Sequence, residues 1–217
     1  MNKIVAIDGP AGSGKGTITK IIAEKLNLTY IDTGATYRAL ALATIRNNIK
    51  LEEKDKIINL AKNIHIDFDS NGHTFLNNED VSTLIRSKEV SNIVSPISSI
   101  IEVREIMVDL QRKMAESKDI IMEGRDITTV VFPNAQYKFY LDADVKERAK
   151  RRFLQNEEMD IHIPMEELIK SIEERDYNDM HKPIGALKRT EDQIYIDTTN
   201  MSIQEVVDTI INYIKKK

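Results

Sequence analysis

The chain has 217 residues, of which 41% are apolar, enough for a sizeable buried core, and this excludes a disordered tail or a disulfide-dependent miniprotein. Its 31 Lys and Arg residues against 35 Asp and Glu give a formal net charge of −4, so it has no overall positive field for polyanions and any anion it binds needs a local site. The absence of cysteine excludes disulfides, thiolate metal sites and cysteine nucleophiles, and it fits a reducing compartment.

A strand, a helix and a second strand are predicted at the start of the chain. Residues 4–7 form a β-branched apolar run that stops at Asp8, which is typical of a buried strand. Apolar residues at helical spacing follow, from Ile18 to Leu26, and residues 29–31 predict the second strand. Such a unit has a right-handed crossover, so we expect its two strands to lie parallel.

Later apolar runs continue this alternation of strands and helices. Three of them lie between helical patterns and predict strands at residues 120–122, 137–141 and 194–196. The last helix has the clearest pattern, because apolar residues from Ile203 to Ile214 form one stripe. We therefore expect an α/β fold of three layers, with a central parallel sheet of about five strands and helices on both faces.

One segment breaks this alternation. Apolar and polar residues alternate from Ile64 to Phe68, and an Asn71-Gly72 pair separates them from another short apolar run. Asn-Gly between alternating runs is typical of a β-hairpin. We therefore expect a small antiparallel insert at residues 62–95.

A glycine-rich loop with one lysine joins the first strand to the first helix. Its residues are Gly9, Pro10, Ala11, Gly12, Ser13, Gly14, Lys15, Gly16 and Thr17. The glycines let the backbone wrap closely around a ligand, the amides and the helix N-terminus favour an anion, and Lys15 can reach β- and γ-phosphate oxygens. The pattern G-x-x-x-x-G-K-[ST] is met up to the lysine, but Gly16 follows it and the hydroxyl comes at Thr17. The loop predicts a polyphosphate site and leaves the hydroxyl ligand of magnesium undetermined.

Two other interpretations of the loop remain open. One is a purely structural turn with an exposed lysine. The other is a dinucleotide loop, because Gly12-Ser13-Gly14 begins the pattern G-x-G-x-x-G and Asp32 lies where a ribose-binding acid would sit. Thr at position 17 breaks that pattern, and a lysine in the turn suits a polyphosphate better.

Several further motifs lie where predicted strands end or helices begin. In chain order the motifs are IDGPAGSGKGT at residues 7–17, DTGATYR at 32–38, GRDITTVVFP at 124–133, ERAKRR at 147–152, EERD at 173–176 and IDTTN at 196–200. Each is weak alone, but together and in this order they cover nearly the whole chain. With them the sequence resembles the nucleoside monophosphate kinases, and the bacterial cytidylate kinases in particular.

The resemblance implies an activity and a division of the chain. The activity is ATP-dependent phosphorylation of CMP and dCMP to CDP and dCDP in pyrimidine nucleotide metabolism, with ATP and Mg²⁺ as cofactors. The chain would form one P-loop kinase domain. Its core comprises residues 1–61, 96–150 and 166–217, the insert at 62–95 binds the monophosphate, and a helical lid spans 151–165.

The resemblance also implies roles for individual residues. The acceptor nucleotide would be bound by Thr33, Tyr37, Arg38, Ser95, Arg104, Arg125, Asp126, Arg175 and Asp179. Catalytic roles fall on Lys15, Arg125, Arg148, Arg152 and Arg175. The chemistry agrees, because hydroxyl and guanidinium groups can bind the cytosine edge, carboxylates suit sugar hydroxyls, and arginine binds phosphate oxygens in a bidentate manner. Tyr37 suits the core equally well.

The arginines of the expected lid have helical spacing. Arg148 and Arg152 would share one helix face, with Arg151 beside them. In the related family this segment closes over ATP, so we expect at least one of these arginines to reach the transferred phosphoryl group and the closed lid to exclude water. An ordinary solvated helix face is the alternative interpretation.

The chain departs from the family pattern at three positions. Thr128 stands where the family commonly has Gly, and Asn178 and Lys182 stand where it commonly has Arg. Lysine keeps the charge but lacks the planar guanidinium. We therefore expect less positive charge and fewer bidentate contacts near the phosphates.

The expected mechanism is direct transfer without a covalent enzyme intermediate. The acceptor phosphate oxygen is already anionic at neutral pH, so no general base is needed, and alignment and charge stabilisation supply the catalysis. Glu123 is a candidate for holding a magnesium-bound water, and no side chain is assigned as a direct metal ligand. We expect the four histidines to be structural or surface residues. They are His65, His73, His162 and His181.

The expected partners are small molecules only. No apolar run approaches the roughly 18 residues of a membrane span, and the start of the chain has no secretory pattern. We expect a cytoplasmic monomer that binds neither nucleic acid nor membrane. Two rival functions remain: a P-loop kinase for another acceptor such as UMP, AMP or shikimate, and an ATP-gated binding protein without transfer activity.

Overall fold

The computed structural model describes residues 2–69, 72–158 and 160–216. Its strands are β1 (Ile4–Asp8), β2 (Thr29–Asp32), β3 (Ile66–Phe68), β4 (Thr74–Leu76), β5 (Glu79–Asp80), β6 (Ile120–Gly124), β7 (Tyr137–Asp142) and β8 (Ile194–Asp197). A five-stranded sheet has the order β2-β6-β1-β7-β8, and all its neighbouring strands are parallel. This confirms the predicted α/β fold.

The helices connect these strands. They are α1 (Lys15–Leu26), α2 (Thr33–Arg46), α3 (Lys54–Asn63), α4 (Lys88–Ser98), α5 (Ile101–Met114), α6 (Val145–Glu158), α7 (Met165–Met180) and α8 (Ile203–Lys216). A 3₁₀ turn spans Leu84–Arg86, and a π-helical turn spans Ile127–Val131. Across the described ranges, no helix combines the length and the apolar content needed to cross a membrane.

The central sheet is buried on both faces, as parallel sheets generally are. Val5 and Ile7 of β1 face a core that includes Ile22 of α1 and Val207 of α8. Ala6, between them, faces the opposite core, which includes Val108 of α5. Side chains alternate along a strand, so helices on both sides are needed to cover the sheet.

Each strand of the central sheet continues beyond the predicted apolar run. The additional residues are Asp8, Asp32, Glu123 with Gly124, Asp142 and Asp197. Their backbones extend the strand ladder while their side chains lie at the carboxyl edge of the sheet. In a parallel sheet this edge is where ligands bind, so the extra polar residues surround the expected site.

The antiparallel insert is confirmed as a small sheet of order β3-β4-β5. Its third strand, two residues long, is not predicted from the sequence. The predicted turn includes Ser70 and Asn71, which lie outside the described residues. Ile66 of the insert packs with Leu40 of α2, Ile57 of α3 and Met107 of α5, so the insert belongs to a second core separate from that of the sheet.

Candidate active site

The loop between β1 and α1 encloses the side chain of Lys15. Gly12 and Gly14 have φ values of 78° and 85°, in the left-handed region that favours glycine. The Lys15 ammonium lies within the curve of this loop and donates to the carbonyl oxygen of Pro10 at 2.7 Å and to the Ser13 hydroxyl at 3.3 Å. Since α1 begins at Lys15, the helix N-terminus faces the same space, which makes it an anion-binding site.

Burial and the positive charge of Arg125 together lower the pKa of Lys15 to about 7, against the opposing effect of Glu123. Lys15 is 5% exposed, so little water compensates its charge. A bound anion would reverse this effect, because its negative charge favours the ammonium form. The loop therefore holds a cation that lacks an adequate counter-ion until a ligand binds.

Glu123 lies beside the loop, and its position accounts for the glycine at position 16, directly after Lys15. The Tyr30 hydroxyl donates to Glu123 Oε1 at 2.8 Å, and burial raises the pKa of this carboxyl group. A Cβ at position 16 would lie 2.9 Å from the same oxygen, so a residue larger than glycine would require the Glu123 carboxylate to move away from its bond with Tyr30. The departure of Gly16 from the usual loop pattern thus follows from the place of Glu123.

A buried ion pair lies across the cleft from the loop. Arg104 of α5 pairs with Asp126, which follows β6, and both are almost inaccessible to water. The guanidinium lies 5.7 Å from the ring centre of Tyr37. Gly185, with a φ of 65°, packs directly against the same guanidinium, and a Cβ there would overlap it. The Tyr37 hydroxyl is buried and has no hydrogen-bond partner among the described residues.

A second ion pair continues this wall of the cleft. Arg125 donates to Asp179 of α7 at 2.8 Å, and Lys182 lies 3.1 Å from the other carboxylate oxygen. Although burial alone would raise it, these two cations hold the pKa of Asp179 below its usual value. Lys182 also donates to the Ser98 hydroxyl at 3.3 Å. We call Arg104, Arg125, Asp126 and Asp179 the acceptor clamp.

Arg175 is a cation without a close counter-ion. No carboxylate within the described part of the chain lies at ion-pair distance from it. Arg175 is exposed to solvent, but the surrounding protein and the neighbouring charge of Arg125 lower its pKa to about 10, and Arg38 and Arg152 act in the same direction. Lys15 and these four arginines form a cation cluster from separate parts of the chain. Such a cluster favours a bound polyanion.

Three other expected nucleotide-binding residues lie on α2 and α4. The Thr33 hydroxyl donates to the carbonyl oxygen of Glu123 at 2.7 Å, which leaves its lone pairs for a ligand donor. Arg38 donates to Ser91 at 3.0 Å. Ser95 of α4 is half-buried, and its hydroxyl makes no hydrogen bond within the described ranges.

The expected lid arginines have different surroundings. Arg148 is buried under the phosphate loop, where it donates to the carbonyl oxygen of Ala11 at 3.0 Å and pairs with Asp176 at 2.6 Å. Arg151 donates to Thr198. Arg152 is exposed, acts electrostatically on Arg38 and Arg175, and has no ion pair in the described part of the chain. Of the three, Arg152 is the one whose guanidinium is available to a ligand.

Several residues at the site have no role assigned from the sequence. Asp8 is fully buried and accepts hydrogen bonds from Thr128, and Gln193 donates to the Thr128 hydroxyl. Asp176 balances the charge of Arg148. The role of Asp8 could have been predicted, because a carboxylate at the end of a buried strand needs hydrogen-bond donors around it. The roles of Asp176 and Gln193 cannot be predicted in this way, because they arise from contacts with other segments of the chain.

Asn178 and the four histidines lie on the surface and make none of the contacts described above. Asn178 is exposed on α7, so the position that the family commonly fills with Arg contributes no charge here. The histidines are all exposed, in agreement with the expectation of surface residues. His162, for example, lies 2.9 Å from Glu157.

Comparison with known proteins gives one consistent result. The profile of the cytidylate kinase family matches residues 5–216. The cytidylate kinase of Fusobacterium nucleatum subsp. nucleatum is 48% identical over 216 residues, which cover 100% of this chain and 97% of the relative. That of Lactobacillus johnsonii is 47% identical and covers 98% of this chain and 94% of the relative. A crystal structure of shikimate kinase from Acinetobacter baumannii has the same fold, with a TM-score of 0.51, 13% identity and coverage of 100% of this chain and 94% of that one.

Proposed function

The chain belongs to the cytidylate kinase family, and on that premise we propose that it transfers the terminal phosphoryl group of ATP to the phosphate of CMP and dCMP, giving ADP with CDP or dCDP. The observation that carries this proposal is the cation cluster. Its members come from the phosphate loop, α2, the end of β6, α6 and α7, and they act on one another electrostatically across one cleft. Two bound nucleotides bring enough negative charge to compensate such a cluster.

The donor nucleotide belongs at the phosphate loop. Residues 9–17 surround the β- and γ-phosphates in this proposal, with Lys15 moving from the carbonyl oxygen of Pro10 to phosphate oxygens. Loop amides and the N-terminus of α1 add partial positive charge. Arg148 supports the loop from below through the carbonyl oxygen of Ala11.

The acceptor nucleotide belongs on the opposite wall of the cleft. Arg125, Arg175 and Arg38 bind its phosphate in this proposal, since guanidinium groups match phosphate oxygens in shape and charge. Asp126 and Asp179 are the hydrogen-bond acceptors for sugar hydroxyls. The base is contacted by Thr33, Ser95 and Arg104, with Tyr37 beside Arg104. The resemblance and the chemistry of these side chains support the role assignments.

Transfer proceeds by attack of an acceptor phosphate oxygen on the γ-phosphorus of ATP, while the bond to the β–γ bridging oxygen breaks and its electron pair leaves with ADP. Charge spreads over the equatorial oxygens of the transferred group, and Lys15, Arg125 and Arg175 compensate it. Arg152 joins them when residues 151–165 close as a lid. Closure also excludes water, which otherwise competes as acceptor.

The residues beside the loop fit a magnesium ion that accompanies ATP. Glu123 Oε1 accepts from Tyr30, whereas Oε2 has no hydrogen-bond partner among the described residues, and Asp32 lies opposite Glu123 in the sheet register. Carboxylate oxygens are the donors that Mg²⁺ prefers, commonly through water. Glu123 and Asp32 would therefore hold the hydrated ion, which would help to compensate the negative charge of the phosphates.

The substrate assignment is tested by a coupled assay of ADP release. Purified protein with ATP and magnesium is given CMP, dCMP, UMP, AMP or shikimate as the acceptor. We expect the highest kcat/KM with CMP and dCMP, and CDP or dCDP as the product identified by chromatography. Rates with CMP no higher than those with AMP or shikimate would contradict the proposal. Lys15→Met should abolish transfer, and Lys25→Met, an exposed change on the same helix, is the control.

A further inference from the structure

Asp8 is a fully buried carboxylate at the end of β1 that the proposed transfer does not use. Its oxygens accept hydrogen bonds from the backbone amides of Ile127 at 2.8 Å and Thr128 at 2.9 Å, and from the Thr128 hydroxyl at 2.5 Å. A carboxylate without access to water needs such donors. Gly9 follows Asp8 in the chain and Asp126 precedes Ile127, so these bonds connect the phosphate loop to the acceptor clamp.

The Thr128 hydroxyl has a second hydrogen-bond partner, and the two partners together determine where its proton points. Gln193 Nε2 donates to Thr128 Oγ1, and both residues are buried. A hydroxyl has one proton, and the carboxylate of Asp8 can only accept it, so Thr128 accepts from Gln193 and donates to Asp8. Gln193 Oε1 accepts from the amide of Thr190 at 2.8 Å, which fixes the orientation of the side-chain amide.

Gln193 belongs to the segment that covers the acceptor clamp. This segment connects α7 to β8, and within it Gly185 packs against Arg104. The amide of Leu187 donates to the carbonyl oxygen of Asp179 at 2.8 Å. The chain of bonds from Asp8 through Thr128 to Gln193 therefore joins the phosphate loop, the turn after β6 and the cover of the clamp.

We propose that Thr128 is a positioning residue whose hydroxyl, held between Asp8 and Gln193, sets the acceptor clamp at the right distance from the phosphate loop. The inference rests on the proposed transfer, because alignment of donor and acceptor is what it controls. Two of the three bonds to Asp8 use backbone amides that any residue other than proline would offer. The hydroxyl is the contribution of this side chain alone, and phosphoryl transfer is sensitive to small misalignments.

The test compares Thr128→Val, which removes the hydroxyl at nearly constant shape, with Thr128→Ser, which retains it. We expect Thr128→Val to lower kcat about tenfold while the KM values for ATP and CMP change less than about twofold, because each site still binds its own nucleotide. Thr128→Ser should restore most of kcat. The control is Thr44→Val, since Thr44 is equally buried and its hydroxyl donates to the carbonyl oxygen of Leu40 at 2.9 Å, far from the clamp in sequence.

Three outcomes would overturn the proposal: an unchanged kcat in Thr128→Val, an equal loss in Thr128→Ser, or KM values that rise together with a fall in Tm as in a general loss of stability. If Thr128→Val does not fold, Gln193→Met replaces it and should lower kcat about threefold. Absence of CDP from the unmodified protein would instead refute the proposed function. In that case the contact between Thr128 and Gln193 is tested by a double-mutant cycle, in which Thr128→Val and Gln193→Met are compared by their effects on the free energy of unfolding. Additive effects would show that the two side chains are not coupled and would refute the proposal.

Discussion

At the scale of single residues, the charges of the site are adjusted by burial and by each other. Lys15 has a pKa of about 7 because it is buried near Arg125 and Arg175. Arg175 has a pKa of about 10 and remains charged at neutral pH. Lys15 is therefore the group of the cation cluster whose protonation changes near physiological pH.

This shift predicts proton uptake when ATP binds. At about pH 8 most Lys15 is neutral in the free protein, and the negative charge of the phosphates raises its pKa, so binding takes up close to one proton. Calorimetry in buffers of different ionisation enthalpy measures this number. We expect no uptake in Lys15→Met and unchanged uptake in Lys25→Met. An apparent binding enthalpy that does not depend on the buffer would contradict the expectation.

Residue types could be predicted from the sequence, but their partners could not. Lys15, Arg125 and Arg175 are visible in motifs, because Lys15 and Arg125 follow predicted strands, where cationic groups indicate phosphate binding, and Arg175 lies in the EERD motif. The pairing of Arg104 with Asp126 and of Arg125 with Asp179 depends on how α5 and α7 pack, which no local pattern encodes. Gly16 is an example of a residue that local sequence patterns cannot explain. Glycine suits this position because the carboxylate of Glu123, more than a hundred residues away in sequence, lies next to it.

At the scale of elements, α6 contributes two arginines with different roles. Arg148 connects the phosphate loop to α7 through Ala11 and Asp176. Arg152, one helical turn further on, is exposed toward Arg38 and Arg175. The helical spacing predicts their common face, but not that one guanidinium is buried beneath the loop and the other is accessible.

The two arginines should therefore respond differently to replacement by alanine. Arg148→Ala leaves Asp176 buried without a counter-ion, which costs about 3–5 kcal/mol and lowers Tm by about 10 °C, with weaker ATP binding. Arg152→Ala should keep the Tm of the unmodified protein and slow the transfer step about 100-fold. Single-turnover kinetics and calorimetric unfolding measure the two effects.

The comparison has a matched control on the neighbouring helix. Lys170→Ala removes an exposed cation of α7 whose only ion pair in the described ranges is with Glu174 at 4.0 Å. Neither Tm nor the transfer rate should change in this variant. Equal transfer rates in Arg152→Ala and the unmodified protein would exclude Arg152 from the mechanism.

At the scale of the whole molecule, the central sheet and the antiparallel insert have separate hydrophobic packing. One core covers the central sheet, and the other joins α2 to α5 with the small antiparallel sheet. Alternating strand and helix patterns predict the first core well, because each parallel strand needs cover on both faces. The second core is only partly predictable, since the expected insert at residues 62–95 contains β3, β4, β5 and most of α4, but it lacks α5 and all except the end of α3, which pack with them.

We expect the protein to act as a monomer, and the distribution of its exposed apolar side chains fits this expectation. Three of the large exposed apolar side chains, Leu84, Leu154 and Ile203, lie on separate elements. Isolated apolar residues are normal on a monomer surface. Sedimentation at kinetic concentrations should give one species of 24.8 kDa, with specific activity independent of dilution. A doubled mass, or activity that falls on dilution, would contradict the expectation.

The close packing of Gly185 against Arg104 offers a means of uncoupling the two nucleotide sites. Gly185→Ala removes no ionisable group from the chain. Its methyl carbon would occupy the space of the Arg104 guanidinium, so we expect it to separate Arg104 from Asp126. Such a chain would still recognise ATP while losing its grip on the cytidine nucleotide. One uncharged carbon atom would thus isolate the donor half of the reaction for separate measurement.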